Sequence, residues 1–255
     1  MNTSTNKIKT KVFFLIIFGI AMGFLEAAVV VYLRQIYYPE GFAFPLKAMA
    51  LGELSIEYLR EISTIVMLFS IGIIAGRYFY DRFAYFLFCF GIWDIFYYVW
   101  LKILLNWPSS LLTWDILFLI PIVWVGPVLS PFICSVTMIF IAGCILFFQQ
   151  KGFNIKIRLF DWALLFSGAF VIFLTFIWDY SQMIIKGGFI IKFFALGTDT
   201  EFQRKFSSFI PSSYKWFLFI IGEILIICFL ILFCKRTRST FKYGKRGQTD
   251  LFMDR

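Results

Sequence analysis

VFFLIIFGIAMGFLEAAVVVYL, residues 12–33, is the stretch on which the fold turns. It is 22 residues long and holds one charged side chain, Glu26. At about 1.5 Å per residue a helix of this length crosses the roughly 30 Å hydrocarbon core of a bilayer. It is too long for the apolar core of a signal peptide and carries no convincing cleavage site, so it reads as an uncleaved first span. Five more runs pass the same test: Leu54–Ala75, Phe83–Leu104, Val128–Phe148, Leu159–Ile177 and Tyr214–Phe233. Composition agrees, with 61% hydrophobic, 22% aromatic and only 15% charged residues. A water-soluble chain of 255 residues could not cover so much apolar surface. The expected fold is an all-α polytopic membrane bundle of six transmembrane helices. Its transmembrane domain covers residues 1–235, followed by a flexible basic tail over 236–255.

Charge orients it. With the N-terminus inside, the inner segments are the N-terminal tail, Arg77–Arg82, Lys151–Arg158 and Lys235–Arg255, which together carry 15 of the 24 Lys and Arg residues. The other side holds nine, spread through longer loops and offset by eight acids. The positive-inside rule then places both termini in the cytoplasm. The net charge of +9 is explained by these flanks, so no nucleic-acid partner is expected. The bilayer itself is the expected partner.

From Leu111 to Phe148 the chain is apolar almost throughout, too long for one span and broken by Pro121, Gly126, Pro127 and Pro131. A full extra span at Leu111–Val125 would reverse the side of the C-terminal tail. The sequence therefore predicts a short outer-face or re-entrant helix over about Ser109–Ile120, with Trp107–Pro131 as a wall of any site.

Several chemistries drop out. There is no histidine, which removes histidine-ligated haem, zinc-peptidase motifs and the commonest general base. Cys89, Cys134, Cys144, Cys228 and Cys234 form no CxxC pair and lie in apolar runs, as reduced core residues do. No phosphate, nucleotide or metal motif is present, so neither a cofactor nor a metal is expected.

The residues that need explaining are those costly to keep in lipid. Glu26, Asp94 and Glu223 fall in the outer halves of spans one, three and six. Glu26 follows Gly19-x-x-x-Gly23, a small-residue seam that allows close helix approach. In span two Glu53, Glu57, Arg60, Glu61 and Thr64 form one polar stripe at helical spacing. Glu53 and Glu57 read as a solvated helix start. Arg60 and Glu61 lie deeper and need partners, Glu26 or Asp94 for Arg60. In span three Asp94, Tyr97, Tyr98 and Lys102 share a face, although an interfacial belt also accounts for Tyr98, Trp100 and Lys102. Asp115 and Asp179 read as inexpensive boundary residues beside tryptophans.

The segment Gly91-Ile-Trp-Asp-Ile-Phe-Tyr-Tyr-Val-Trp-Leu-Lys102, with Trp124-Val-Gly-Pro-Val128 downstream, resembles a group of uncharacterised bacterial multi-pass membrane proteins. The resemblance extends over spans one to four. It implies placement in a bacterial cytoplasmic (inner) membrane and carries no activity, catalytic residue or ligand.

The leading expectation is a small membrane-embedded binding or translocation protein with an acidic polar site open to the outer face. Glu26, Arg60, Glu61, Asp94, Tyr97, Lys102 and Glu223 would line it, and its ligand would be a small molecule, an ion or a lipid. Two other classes compete: an intramembrane enzyme acting on a lipid or lipid-linked substrate, and a structural subunit whose buried charges meet a partner's helices or a second copy of the chain.

Overall fold

The computed structural model describes residues 2–47, 49–153, 155–189 and 200–253, with side chains described for 8–47, 49–153, 155–189, 201, 202 and 204–239. Six long helices dominate: α1 (Asn2–Tyr37), α2 (Leu51–Ala75), α3 (Phe79–Leu105), α4 (Leu129–Gln150), α5 (Leu159–Lys186) and, after a short α6 (Thr200–Phe206), α7 (Trp216–Met253). Each of the six is long and apolar enough to cross a membrane, and the chain is the all-α polytopic bundle its composition predicts. Most helices overshoot the apolar runs because polar turns extend beyond the hydrocarbon-length segment. The backbone of α7 continues as helix through the segment expected to be a flexible tail. Large side chains such as Phe14, Ile74 and Phe217 stand exposed on the outer surface, an arrangement that suits lipid and not water.

The centre of the bundle is α3, which packs against α1, α2 and α4, while α5 pairs with α7. Small residues set these approaches. A methyl group on Gly23 of α1 would come within 3.0 Å of Trp93 O and Tyr97 N on α3, so the predicted Gly19–Gly23 seam faces α3. Gly168 and Gly222 do the same for α5 and α7, where an added methyl on either would lie 2.7 or 2.8 Å from the other's carbonyl oxygen. At the end of the bundle holding the α4–α5 turn, Asp161 accepts the Arg158 N–H at 2.7 Å and pairs with Arg236 of α7 at 2.5 Å.

The stretch between α3 and α4 corrects the sequence reading. Instead of a short helix over 109–120, it forms an antiparallel hairpin of β1 (Trp114–Phe118) and β2 (Trp124–Pro127). Asp115 pairs with Gly126 and Ile116 with Val125, with an irregularity between Ile116 and Phe118. The residues explain the outcome: aromatic and β-branched side chains favour strand, and Pro121 forbids a helix from running on. The hairpin dips into the bundle. Phe118 stacks edge-on to Trp93 near the middle of α3, and Trp124 meets Phe173 and Phe176 near the middle of α5. Non-helical backbone survives at such depth when its polar groups are paired by protein. Here the ladder pairs the two strands, and Glu61 of α2 accepts the Leu119 N–H with both oxygens, at 3.1 and 2.9 Å.

Candidate functional site

Helical spacing brings the polar residues of three helices onto facing surfaces. On α2, Glu57, Arg60, Glu61 and Thr64 recur every three or four residues along the side turned to the interior. On α1, Glu26 and Arg34 lie eight residues apart, a little over two turns. On α3, Asp94, Tyr97 and Tyr98 face the same space. The hairpin adds Asp115, and the loop after α1 adds Phe42 and Leu46. Together they enclose a cavity of about 530 Å³, closed further by Tyr180 of α5 and Phe202 and Phe206 of α6. Five carboxylates line it (Glu26, Glu57, Glu61, Asp94 and Asp115) against three basic residues, Arg34, Lys47 and Arg60.

Arg60 is the hub. Its guanidinium forms an ion pair with Glu26 across to α1, holds Glu57 at 2.7 Å and sits 3.9 Å from Glu61. Thr64 donates to the second oxygen of Glu26 at 3.1 Å. Asp94 accepts from Ser135 of α4 at 2.6 Å. Farther along, Arg34 meets Asp115 at 3.0 Å, and its guanidinium lies 3.7 Å from the centre of the Trp107 ring and 4.6 Å from that of Phe42. Stacking between rings holds the guanidinium plane in place. Burial pushes the Asp115 carboxyl up to about 6, with Arg34 pulling in the opposite direction.

Four buried atoms of lining residues lack a well-aligned hydrogen-bond partner, Arg34 Nη1, Arg60 Nη1, Trp93 Nε1 and Asp115 Oδ2, although Arg60 Nη1 is ion-paired with Glu26 and the Asp115 carboxyl is stabilised by Tyr98 and the Ile116 N–H. Buried polar groups are paired in the great majority of cases. The gathering of five carboxylates and three basic residues around one cavity is the strongest sign that it is built to receive something.

Of the residues singled out from sequence, Glu26, Arg60, Glu61, Asp94 and Tyr97 meet here. Lys102 does not line the cavity and donates to the carbonyls of Asn106 and Pro108 at 3.3 and 3.0 Å, fastening the chain as it leaves α3. Glu223 also lies apart, accepting from Thr137 at 3.0 Å and from the Cys134 thiol at 3.8 Å between α4 and α7. Glu57, taken as a solvated helix start, is buried against Arg60. Glu53 is exposed and accepts from Tyr37. Sequence reading missed Arg34 and Asp115. The spacing of Arg34 from Glu26 was a usable signal, whereas the burial of Asp115 follows from a hairpin whose depth no local pattern reveals. Asp179 sits at the surface, accepting the Ser212 N–H at 2.8 Å.

Among the described residues, no three carboxylates or thiols are disposed to grip one metal ion. Comparison of the chain with protein-family models, with curated proteins and with solved structures gives no match.

Proposed function

We propose that this chain is a small binding or translocation protein of the bacterial cytoplasmic membrane, with its acidic cavity facing the outer leaflet. The asymmetry of basic residues supports the orientation: the N-terminal tail, Arg77–Arg82, Lys151–Arg158 and the C-terminal segment all belong to the end away from the hairpin. The observation that carries the functional reading is a cavity of about 530 Å³ in which five carboxylates from α1, α2, α3 and the hairpin meet three basic residues. That volume falls within the range of small-molecule sites. Irregular backbone walling a polar pocket within a helix bundle is also the recurring construction of membrane transport proteins.

Native mass spectrometry of the full chain, purified in mild detergent from the membranes that express it, tests the reading. The expected result is a bound non-protein mass that disappears in Asp94→Asn while the thermal unfolding transition is retained. The same bound mass in wild type and variant would overturn it. A chemically altered lipid in expressing membranes would point to the enzyme class, and a stoichiometric second subunit to the structural class.

A further inference from the structure

The long helices fall into two groups, α1, α2 and α4 around α3, and α5 with α7. Where α4 of the first group meets α7 of the second, each contributes one cysteine. The thiols of Cys144 and Cys234 face each other and share a hydrogen bond. Both are free and half-buried. The other three are placed differently: Cys89 is buried, Cys134 is turned to Glu223 and Cys228 is exposed.

The pair is not sealed inside the core. It lies on a groove of about 380 Å³ whose walls include Ile139, Phe140, Gly143 and Phe147, with Arg238 as its charged boundary. Phe140 and Phe147 are 62% and 50% exposed, and a methyl group on Gly143 would meet nothing within 4 Å. The groove therefore opens on the apolar outer surface. Cys234 directly precedes Lys235 and Arg236, so the pair sits where the apolar run gives way to charge. On the orientation proposed above this is the cytoplasmic end, where glutathione and thioredoxin keep thiols reduced. A peroxide is attacked by a thiolate, and cations favour thiolates. Arg238 supplies the cation on the same groove.

We infer that Cys144 and Cys234 form a redox-active pair, which a hydroperoxide converts to a disulfide tying α4 to α7. One thiolate attacks the terminal peroxide oxygen, the O–O bond breaks, and the alkoxide takes up a proton and leaves as an alcohol. The sulfenic acid so formed is attacked by the second thiol, the S–S bond closes and water leaves. The two sulfurs together lose two electrons, which reduce the peroxide, and the two thiol protons end in the alcohol and the water. A cytoplasmic dithiol reverses the step by exchange. The inference uses the proposed orientation and needs nothing from the cavity. Its oxidant carries an O–O bond, either on a lipid reaching the groove through the bilayer or as aqueous hydrogen peroxide.

The test reconstitutes the reduced full chain in nanodiscs and exposes it to equal low concentrations of cumene hydroperoxide or hydrogen peroxide. The thiols are then quenched with acid, alkylated and mapped by peptide mass spectrometry. Wild type is expected to lose both thiols together in a Cys144–Cys234 disulfide before Cys89, Cys134 or Cys228 reacts, with one cumyl alcohol released per bond. Faster reaction with cumene hydroperoxide assigns the oxidant to the bilayer, and faster reaction with hydrogen peroxide assigns it to water. Thioredoxin with its reductant should restore both thiols. In one of Cys144→Ser and Cys234→Ser the remaining thiol should stop at a sulfenic acid that dimedone captures, which identifies the attacking sulfur. Arg238→Gln should slow oxidation several-fold, and Arg238→Lys, which keeps the charge, should restore the rate. Oxidised wild type should melt at a higher temperature than reduced wild type, a shift lost in Cys144→Ser. If copper phenanthroline closes the bond but neither peroxide does, the thiols are neighbours without redox function and the inference is overturned. Oxidation of Cys228 ahead of the pair overturns it equally.

Discussion

Arg60 shows what a single residue does in this bundle. Its guanidinium is shared among Glu26, Glu57 and Glu61, so removing it leaves three carboxylates facing one another away from water. Arg60→Gln is expected to cost about 3 kcal/mol or more of stability, read as a lower thermal midpoint in detergent. Glu26→Gln should cost clearly less, because Arg60 keeps Glu57. Asp115 gives the pH dependence. It is faced by Arg34 from α1 and by Asp94, Tyr97 and Tyr98 from α3. Burial raises its titration to about 6, so the folded chain holds this proton more tightly than the unfolded one, and stability from this residue is lost as pH rises toward 6. The thermal midpoint should therefore fall as pH rises through that range, and Asp115→Asn should lose this part of the dependence.

The elements differ in how they are held. The helices satisfy their own backbones, and their contacts depend on close approach, as at Gly23 against α3. Gly23→Leu should destabilise the α1–α3 contact by about 1–3 kcal/mol, measured by thermal unfolding. The hairpin depends on outside help. Glu61→Leu leaves the Leu119 N–H without its carboxylate acceptor at a cost of about 1–3 kcal/mol. Hydrogen exchange should show faster exchange confined to the hairpin. Uniform acceleration over the whole chain would mean instead that Glu61 supports the bundle at large. Spans and strand behaved differently as sequence problems for the same reason. A membrane helix announces itself over about 20 contiguous residues because the bilayer has a fixed thickness. The hairpin is a pairing between residues up to 13 apart, Trp114 with Pro127, and its short apolar run suits buried helix and buried strand equally.

At the level of the whole molecule, six spans put both termini on one side of the membrane, and the hairpin, the cavity and the loop after α1 on the other. In a background with the native cysteines replaced, a membrane-impermeant maleimide added to intact cells should label Glu40→Cys and not Lys151→Cys. The reverse pattern would turn the cavity to the cytoplasm. Composition, the six apolar runs and the distribution of basic residues determine that the chain is a membrane bundle and support its orientation, because hydrophobic length and flanking charge act locally on each segment. Helical spacing further tied Arg60 and Glu61 to one face of α2 and Asp94 and Tyr97 to one face of α3. Only the tertiary structure decided which faces meet: that Arg60 pairs with Glu26 on α1, that Asp115 dips inward to Arg34, and that Glu223 and Lys102 are satisfied elsewhere. The pairings of Arg60, Asp115 and Glu223 join residues 34 to 89 positions apart. A buried charge states in the sequence that it must have a partner, and packing alone selects which one.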